Sequence, residues 1–266
     1  MKAAVIYKPS SADIKNEIEQ ILKEKGVIFK TFDVPTKEIE KFDFIISIGG
    51  DGTILRILQE IKHCPPLLGI NTGRIGLLTQ IYPHEFRNAL EKIVRGEIEV
   101  EEFMRLNCKI SKEYESGKET ETLRAINEIA ILTALPAKLI EVSIFVDDTL
   151  IDTLRSDGLL ISTPLGSTAY ALSAGGPIID PSLDSFLIIP IAPFKLRWKP
   201  WVIGPEKKVK VLLHPDKKAL VVADGQKVIK INPGTTVFIS KSKHPVRFFK
   251  INKRFEKIVR KLEELK

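Results

Sequence analysis

Phe44 to Ile48 is an unbroken apolar run, Ile54 opens a helical spacing of apolar residues, and between them stands Gly49-Gly50-Asp51-Gly52-Thr53. A strand that passes through glycines into a helix turns backbone N–H groups and the positive end of the helix toward the carboxyl edge of a sheet, where anions bind. Glycines there permit positive φ and close approach of a ligand to the backbone. Asp51 is the informative member. A carboxylate set in an anion cradle repels its ligand unless a divalent cation bridges the charges or the carboxylate takes a proton. Phosphoryl transfer to a hydroxyl needs both. The plainer alternative is that Asp51 caps the helix at Ile54, a role worth about 1 kcal/mol. Two glycines before it and one after make the cap alone a poor account. The chain contains no Gly-x4-Gly-Lys-Ser/Thr run, and no Gly-x-Gly-x-x-Gly between a strand and a helix. A P-loop ATPase and an ordinary dehydrogenase are therefore disfavoured.

A second stretch is notable for what it lacks. Gly158 to Ile179 holds 22 residues without a charge, where the 28% average of the chain predicts about six. Pro164, Pro177, its glycines and its hydroxyl residues exclude a membrane span. Ser162, Thr163, Ser167, Thr168, Tyr170 and Ser173 suit hydrogen bonds to a sugar or a base. A buried strand-to-helix crossover explains the same segment equally well.

The elements that must position these residues change character along the chain. Over the first hundred residues strands alternate with helices. Ala3 to Tyr7 is followed by cap candidates Ser10, Ser11 and Asp13 and a helix carrying Ile14, Ile18, Ile21 and Leu22, stopped by Gly26. Val27 to Phe32, Phe44 to Ile48 and Leu67 to Ile70 are further strands, and Ile54, Ile57, Leu58 and Ile61 form one helical face. This alternation predicts βαβ units and a parallel sheet. From about Asn107 the rhythm becomes short β-rich runs: Arg124 to Leu132, Leu139 to Val146, Val209 to Leu213, Leu220 to Ala223, Val228 to Ile231 and Thr236 to Ser240. They are separated by turns at Asp147-Asp148, Pro215-Asp216, Asp224-Gly225 and Asn232-Pro233-Gly234. Asn252 to Lys266 reads as a terminal amphipathic helix with Phe255, Ile258, Val259, Leu262 and Leu265 on its apolar face.

The 266 residues, 44% apolar and 28% charged, suffice for one large domain or two ordinary ones and exclude collagen-like, disordered and disulfide-scaffold classes. Cys64 and Cys108 belong to no zinc or redox pattern, so a reduced, cytoplasmic setting is expected. No stretch approaches the ~20 apolar residues of a membrane helix and the N-terminus is too short in apolar residues for a signal peptide, so no membrane partner is expected. With 41 Lys plus Arg against 34 Asp plus Glu the net charge is +7. The cations are spread evenly and interleave with no aromatic array, which favours an anionic small molecule over nucleic acid.

With those residues in view, the chain resembles the NAD kinase family, which phosphorylates the adenosine 2′-hydroxyl of NAD. Five stretches carry the resemblance in order: Gly49-Gly-Asp-Gly-Thr53, Asn71-Thr-Gly-Arg-Ile-Gly-Leu-Leu-Thr79, Asn127-Glu128, Asp157 to Pro177, and Asp224-Gly-Gln226. The turn is shared with diacylglycerol and sphingosine kinases, whereas the Asp157 to Pro177 match is highly specific.

The resemblance implies an N-terminal α/β domain with a parallel sheet at 1–104, completed by about 246–266, and a β-sandwich domain at 105–245 that binds NAD. The terminal helix packs back on the first domain. It implies Asp51 as the general base, with ATP or polyphosphate as donor together with Mg2+ or another divalent cation. Gly49, Gly50, Gly52 and Thr53 hold phosphate, and no residue is assigned as a metal ligand. On the NAD side, Asp51, Gly52 and Arg56 contact phosphates or the nucleotide, Asn127 and Glu128 the ribose hydroxyls, and Asp157 the nicotinamide carboxamide. Thr168, Ala169, Tyr170, Ala171, Leu172 and Ser173 line the adenine side, and Lys138, Arg155, Ala192 and Gln226 add further contacts. A homodimer or homotetramer is implied. One region departs from the pattern. Where members carry Pro-His-Ser-Leu, this chain has Pro193-Phe-Lys-Leu, and Lys195, Arg197 and Lys199 stand as alternative cations for a polyanionic donor. The rival readings are a lipid kinase sharing the turn and a non-catalytic NAD sensor.

Overall fold

The computed structural model describes residues 1–73, 75–114, 117–195, 197–215, 217–251 and 254–264, with the side chains of 112–118 outside that description. Arg74 of the Asn71–Thr79 motif, Leu196, Asp216 of a predicted turn, and 252, 253, 265 and 266 at the ends of the predicted terminal helix lie outside the described residues. The chain divides into two compact units, Met1–Glu102 with His244–Lys266, and Phe103–Lys243.

The first unit runs β1 (Lys2–Tyr7), α1 (Ala12–Glu24), β2 (Ile28–Phe32), β3 (Phe44–Gly49), α2 (Asp51–Glu60), β4 (Leu67–Asn71), α3 (Phe86–Val94) and β5 (Val100–Phe103). After the second unit it ends with β18 (Val246–Phe249) and α5 (Arg254–Glu263). Its sheet has the order β2-β1-β3-β4-β18-β5, with β1, β2, β3, β4 and β18 paired in parallel. Every residue of β3 and β4 is buried, which is why both read as continuous apolar runs and not as alternating ones. The helices lay Ile18, Ile21, Leu22, Phe86, Ala89, Leu90 and Ile93 on this sheet. Because β2 and β3 flank β1 on opposite sides, the strand order reverses between β1 and β3. The turn after β3 therefore sits at the topological switch point, where α/β sheets bind ligands.

Among its described residues the second unit is β apart from a 3-10 turn at Leu165–Thr168 and one short helix. It comprises β6 (Leu106–Tyr114), β7 (Gly117–Ala125), β8 (Glu128–Thr133), β9 (Ile140–Val146), β10 (Thr149–Ser156), β11 (Gly158–Ser162), α4 (Tyr170–Ser173), β12 (Phe186–Ile191) and β13 (Trp201–Ile203). β14 (Val209–Leu213), β15 (Ala219–Ala223), β16 (Lys227–Ile231) and β17 (Thr236–Lys241) complete it. Two antiparallel sheets, β10-β9-β14-β17-β6-β7 and β13-β12-β11-β8-β15-β16, share one core to which β14 gives Val209, Val211 and Leu213 and β15 gives Ala219, Val221 and Ala223. This alternation of inward and outward residues is that of a β-sandwich. The outer face of the second sheet is covered as well. Ala171 and Ile179 of the uncharged segment pack on Ala130, Leu160, Leu187 and Ile189, so a charge in that layer would face apolar side chains on two sides.

Three elements differ from the sequence expectation. α2 begins at Asp51 rather than Ile54, so the last three residues of the Gly-Gly-Asp-Gly-Thr motif are its first turn. The run Arg124 to Leu132 is not one strand but breaks at Ile126 and Asn127, whose amides bond elsewhere. The terminal helix packs back on the first unit, but its inward side carries Arg254, Ile258 and Lys261, while Phe255 and Val259 are exposed. The two inward cations have partners there, Glu101 and the Leu77 carbonyl for Arg254 and the Tyr82 hydroxyl for Lys261, and those polar partners turn this face in.

Gly166 is needed for close approach: a Cβ there would lie 2.1 Å from the Asn127 carbonyl oxygen. Gly166→Ala is expected to destabilise the protein by about 1–3 kcal/mol, read as a fall in the denaturant midpoint. An unchanged midpoint would show that the Asn127 backbone yields freely.

Candidate functional site

The turn after β3 is built by exclusion of side chains. None of Gly49, Gly50 and Gly52 has positive φ, contrary to the sequence expectation; what matters is the missing Cβ. At Gly49 a Cβ would lie 2.2 Å from Thr53 Oγ1, whereas at Gly50 and Gly52 it would meet nothing within 4 Å. The first glycine therefore lets α2 start tightly against β3, and the other two leave open backbone at the helix N-terminus, the geometry that suits a phosphate. Thr53 is buried and Arg56 is exposed one turn further along α2.

Asp51 makes no side-chain cap to its own helix. Its carboxylate crosses instead to the 76–79 loop, where Oδ2 accepts the Leu77 N–H at 2.8 Å and Oδ1 accepts those of Leu78 at 2.8 Å and Thr79 at 3.3 Å. The cap alternative is thereby replaced by a clamp between the Gly49–Thr53 and Asn71–Thr79 motifs. The loop is shaped for it. Gly76 has φ +67°, and a Cβ there would lie 2.5 Å from both Asn71 Nδ2 and Thr79 Oγ1. Asn71 Oδ1 accepts the Gly73 N–H, and Thr72 Oγ1 meets Ser11 Oγ at 3.0 Å. Ser11, a cap candidate by sequence, makes no cap bond to α1.

α5 approaches the same loop from its other side. Arg254 donates to the Leu77 carbonyl and to Glu101, and Lys257 donates to the Thr79 carbonyl. Burial, then the neighbouring Arg254 charge, push the Lys257 ammonium down to about 8. A cavity of about 590 Å³ lies beside it, lined by Asn71, Gln80, Tyr82, His84 and Arg260 among others. The sequence alone assigns neither Arg254 nor Lys257 a role.

In the second unit, Asn127 and Glu128 stand where the predicted strand breaks. Asp224, at φ +50° in the hairpin turn between β15 and β16, accepts the N–H groups of Ile126 (2.9 Å), Asn127 (2.8 Å) and Glu128 (3.2 Å). Asn127 gives its carbonyl to Thr163 N and Ser162 Oγ. Glu128 is buried beside Asp224 and takes the Tyr170 backbone N–H, while its Oε2 has no hydrogen-bond partner among the described residues. Burial, and next the Asp224 charge, push the Glu128 carboxyl up to about 8. Burial pushes Asp224 up to about 6, against three backbone amides and the Arg105 charge. Burial and mutual repulsion thus both oppose a second negative charge on this pair.

The uncharged segment divides its hydroxyls between two uses. Ser162, Thr163 and Ser167 are fully buried and donate to the carbonyls of Asn127, Ile126 and Pro164; they are internal braces and turn no hydroxyl to solvent. Thr168 and Ala169 are half-buried, Ala171 is buried with Leu172 beside it, and Tyr170 and Ser173 are exposed. Gln226 is exposed in the same turn as Asp224. A second group forms where β10, β11 and β12 meet. Asp157 N donates to Ile191 O, its carbonyl accepts from Thr133, and the Arg155 carbonyl accepts from Phe194. Ala192, between them, holds φ +43°, a conformation a non-glycine residue keeps only where its surroundings enforce it. Lys138 stands apart on the exposed loop between β8 and β9. Lys195, considered for donor binding, pairs with Asp152 at 2.8 Å.

A sheet with an aspartate-bearing glycine turn at its switch point, joined to a β-sandwich, defines an anion-binding α/β protein with an appended β unit. Family models described as the ATP-NAD kinase N-terminal domain and the ATP-NAD kinase C-terminal domain match residues 4–98 and 126–251. An NAD kinase of Archaeoglobus fulgidus is 46% identical over 265 residues, spanning 100% of both chains. An NAD kinase of Methanosarcina acetivorans is 42% identical over 223 residues, covering 83% of this chain and 78% of its own. The crystal structure of an NAD kinase from Archaeoglobus fulgidus in complex with ATP superimposes with a TM-score of 0.86, covering 99% of each chain at 45% identity. A yeast NADH kinase complexed with NADH shares the fold, with a TM-score of 0.89 over 100% of this chain and 87% of its own at 19% identity. The chain belongs to the NAD kinase family.

The Glu128 carboxyl has a testable sign. Its value in the fold, about 8, exceeds its ordinary 4.5, so its favourable contribution is full below pH 4.5 and is lost as pH rises through 8. Glu128→Gln removes that loss. Its stability relative to the native chain is expected to rise between pH 4.5 and 8 and to level above, read by urea unfolding across the range. A difference that stays flat would mean that Glu128 does not carry the proton.

Proposed function

We propose that this chain is an NAD kinase that transfers a phosphoryl group from ATP, another nucleoside triphosphate or polyphosphate to the adenosine 2′-hydroxyl of NAD, with Asp51 as general base. The observation that supports this most directly is the state of the Asp51 carboxylate. An ionised carboxylate has about four acceptor positions, and three are taken by the Leu77, Leu78 and Thr79 amides. Oδ2, with one amide against two on Oδ1, keeps a position for the incoming hydroxyl. The amides fix its direction, so the base is oriented before substrate arrives.

Gly49, Gly50, Gly52 and Thr53 then form the turn that receives donor or substrate phosphate, on the backbone left open at Gly50 and Gly52, with Arg56 as a further cation. Among the described residues no group of three or more His, Cys, Asp or Glu is placed to cage a metal ion. Mg2+ would be carried on donor phosphates, as it is held in kinase sites by phosphates with one or two carboxylates. Mg2+, when bound, neutralises developing charge on the transferred group. In the β unit, taken as the NAD-binding domain at 105–245, Asn127 and Glu128 serve the ribose. Thr168 to Ser173 serve the adenine, Asp157 the carboxamide, and Lys138, Arg155, Ala192 and Gln226 the remaining contacts. A homodimer or homotetramer in the cytoplasm completes the reading. Membership of the family favours it over a lipid kinase, and a carboxylate with an open acceptor position at the phosphate turn favours turnover over sensing.

Asp51→Asn is expected to lower the rate of NADP formation by about 10²–10⁴-fold while NAD still binds; near-normal turnover would sink the base assignment. In the native chain, chelation of divalent ions should stop NADP formation and added Mg2+ restore it, with ATP, other triphosphates and polyphosphate assayed in turn and diacylglycerol as the control acceptor. Light scattering reads the oligomer.

A further inference from the structure

α5 lies about 200 residues after Asp51 in the sequence, yet it closes a chain of bonded groups that ends on the Asp51 carboxylate. Arg254 is buried, with side-chain exposure of 7%. Its Nε and Nη2 lie 3.3 and 3.1 Å from Glu101 Oε1, and its guanidinium stands 5.0 Å from the centre of the Phe248 ring. Glu101 on one side and the ring on another fix the plane of the group. Its Nη1 donates to the Leu77 carbonyl oxygen at 3.2 Å. That carbonyl and the Leu78 N–H are the two ends of a single peptide unit, and the Leu78 N–H donates to Asp51 Oδ1 at 2.8 Å. A cation on the oxygen end of a peptide polarises it and strengthens the donor at its nitrogen end, because hydrogen bonds in series reinforce one another. The same cation restrains the loop that aims the carboxylate. Lys257, one turn further along α5, holds the next carbonyl but one, at Thr79.

We propose that Arg254 is a positioning residue for the reaction: through the Leu77–Leu78 peptide it orients Asp51 and anchors the charge of its carboxylate, with Lys257 as a second brace on the same loop. Arg254 touches neither substrate nor the reacting atoms. The inference rests on the reading of Asp51 as the base, and it adds that the terminal helix is part of the catalytic apparatus and not merely a lid on the sheet. The Asp51 and Arg254 charges also act on each other directly, since Asp51 opposes the lowering that burial imposes on the guanidinium.

The test is a double-mutant cycle with an independent structural readout. Arg254→Gln is expected to lower kcat for NADP formation by about 10–100-fold, to leave the dissociation constant for NAD within about twofold, and to be partly rescued by Arg254→Lys. In the Asp51→Asn background the same change should cost less than about twofold, because a residue that acts through another has nothing left to act on. A full additional loss in that background, or a loss expressed only in NAD affinity, would overturn the proposal. Amide hydrogen exchange supplies the second arm and needs no activity. The Leu78 amide should exchange at least about tenfold faster in Arg254→Gln, and in Arg254→Lys to a smaller degree, while the β3 amides keep their native rates. Unchanged exchange at Leu78 would overturn the positioning role. If the native chain makes no NADP the kinase reading fails, and the exchange arm still decides whether Arg254 holds the Asp51 clamp.

Discussion

One interaction recurs in both units and most of the site depends on it: an aspartate carboxylate that accepts the N–H groups of three consecutive residues on another segment. Asp51 takes Leu77, Leu78 and Thr79 in the first unit, and Asp224 takes Ile126, Asn127 and Glu128 in the second. In each case Oδ2 accepts one amide and Oδ1 two. Three successive N–H groups converging on one point do not alternate as those of a strand do, and outside a helix they would be left without partners. A carboxylate satisfies all three at once, with bonds stronger than neutral acceptors give. The clamp therefore permits an irregular backbone at the two places where the chain leaves regular structure to make a site.

The two clamps have the same bonds and different surroundings, and this separates their roles. Asp224 is buried to 4% exposure in the β15–β16 turn, where amides and Arg105 offset its charge and burial raises the adjacent Glu128 carboxyl because a second buried charge would be costly. Asp51 is only half-buried at the open edge of a parallel sheet. The same hydrogen-bonded carboxylate is a buried tie in one unit and, in the other, a tie that still meets solvent. Burial, not the bonding pattern, sets the difference.

What sequence reasoning captured and what escaped it follow from the range of the forces involved. The apolar runs Phe44–Ile48 and Leu67–Ile70, the spacing of Ile54, Ile57 and Leu58, and the run of short alternating strands after Asn107 are local patterns, and except for Arg124 to Leu132, which breaks at Ile126 and Asn127, each became the expected element. The turn at Gly49–Thr53 was legible because it combines glycines and an acid where a strand meets a helix. The targets of Asp51 and Asp224 were not legible, because their partners are backbone amides 26 to 28 and 96 to 98 residues away, and any residue type supplies an amide. For the same reason Asp224 read as a turn residue within a family motif, with no partner of its own. The hydroxyls at Ser162, Thr163 and Ser167 looked ready for a ligand, since composition cannot distinguish a hydroxyl that faces solvent from one spent on a carbonyl.

The terminal helix shows why an apolar stripe is an incomplete guide to orientation. Turning Phe255 and Val259 inward would bury more apolar area, at roughly 25 cal/mol per Å², yet both are exposed and Arg254 and Lys261 point in. The surface this helix meets is not uniformly apolar. The 76–79 loop, having given its N–H groups to Asp51, presents the Leu77 and Thr79 carbonyls on its other side, and these need donors. Arg254 and Lys257 supply them. The side chain that reaches Leu77 is long enough to pack on Phe248 along the way. The face of α5 is thus set by the back of the Asp51 clamp. A carboxylate that gathers amides on one side of a loop leaves carbonyls that need donors on the other. Behind Asp224 these donors are Ser162 and Thr163, and behind Asp51 they are Arg254 and Lys257, where the positive charge of the chain acquires a local purpose.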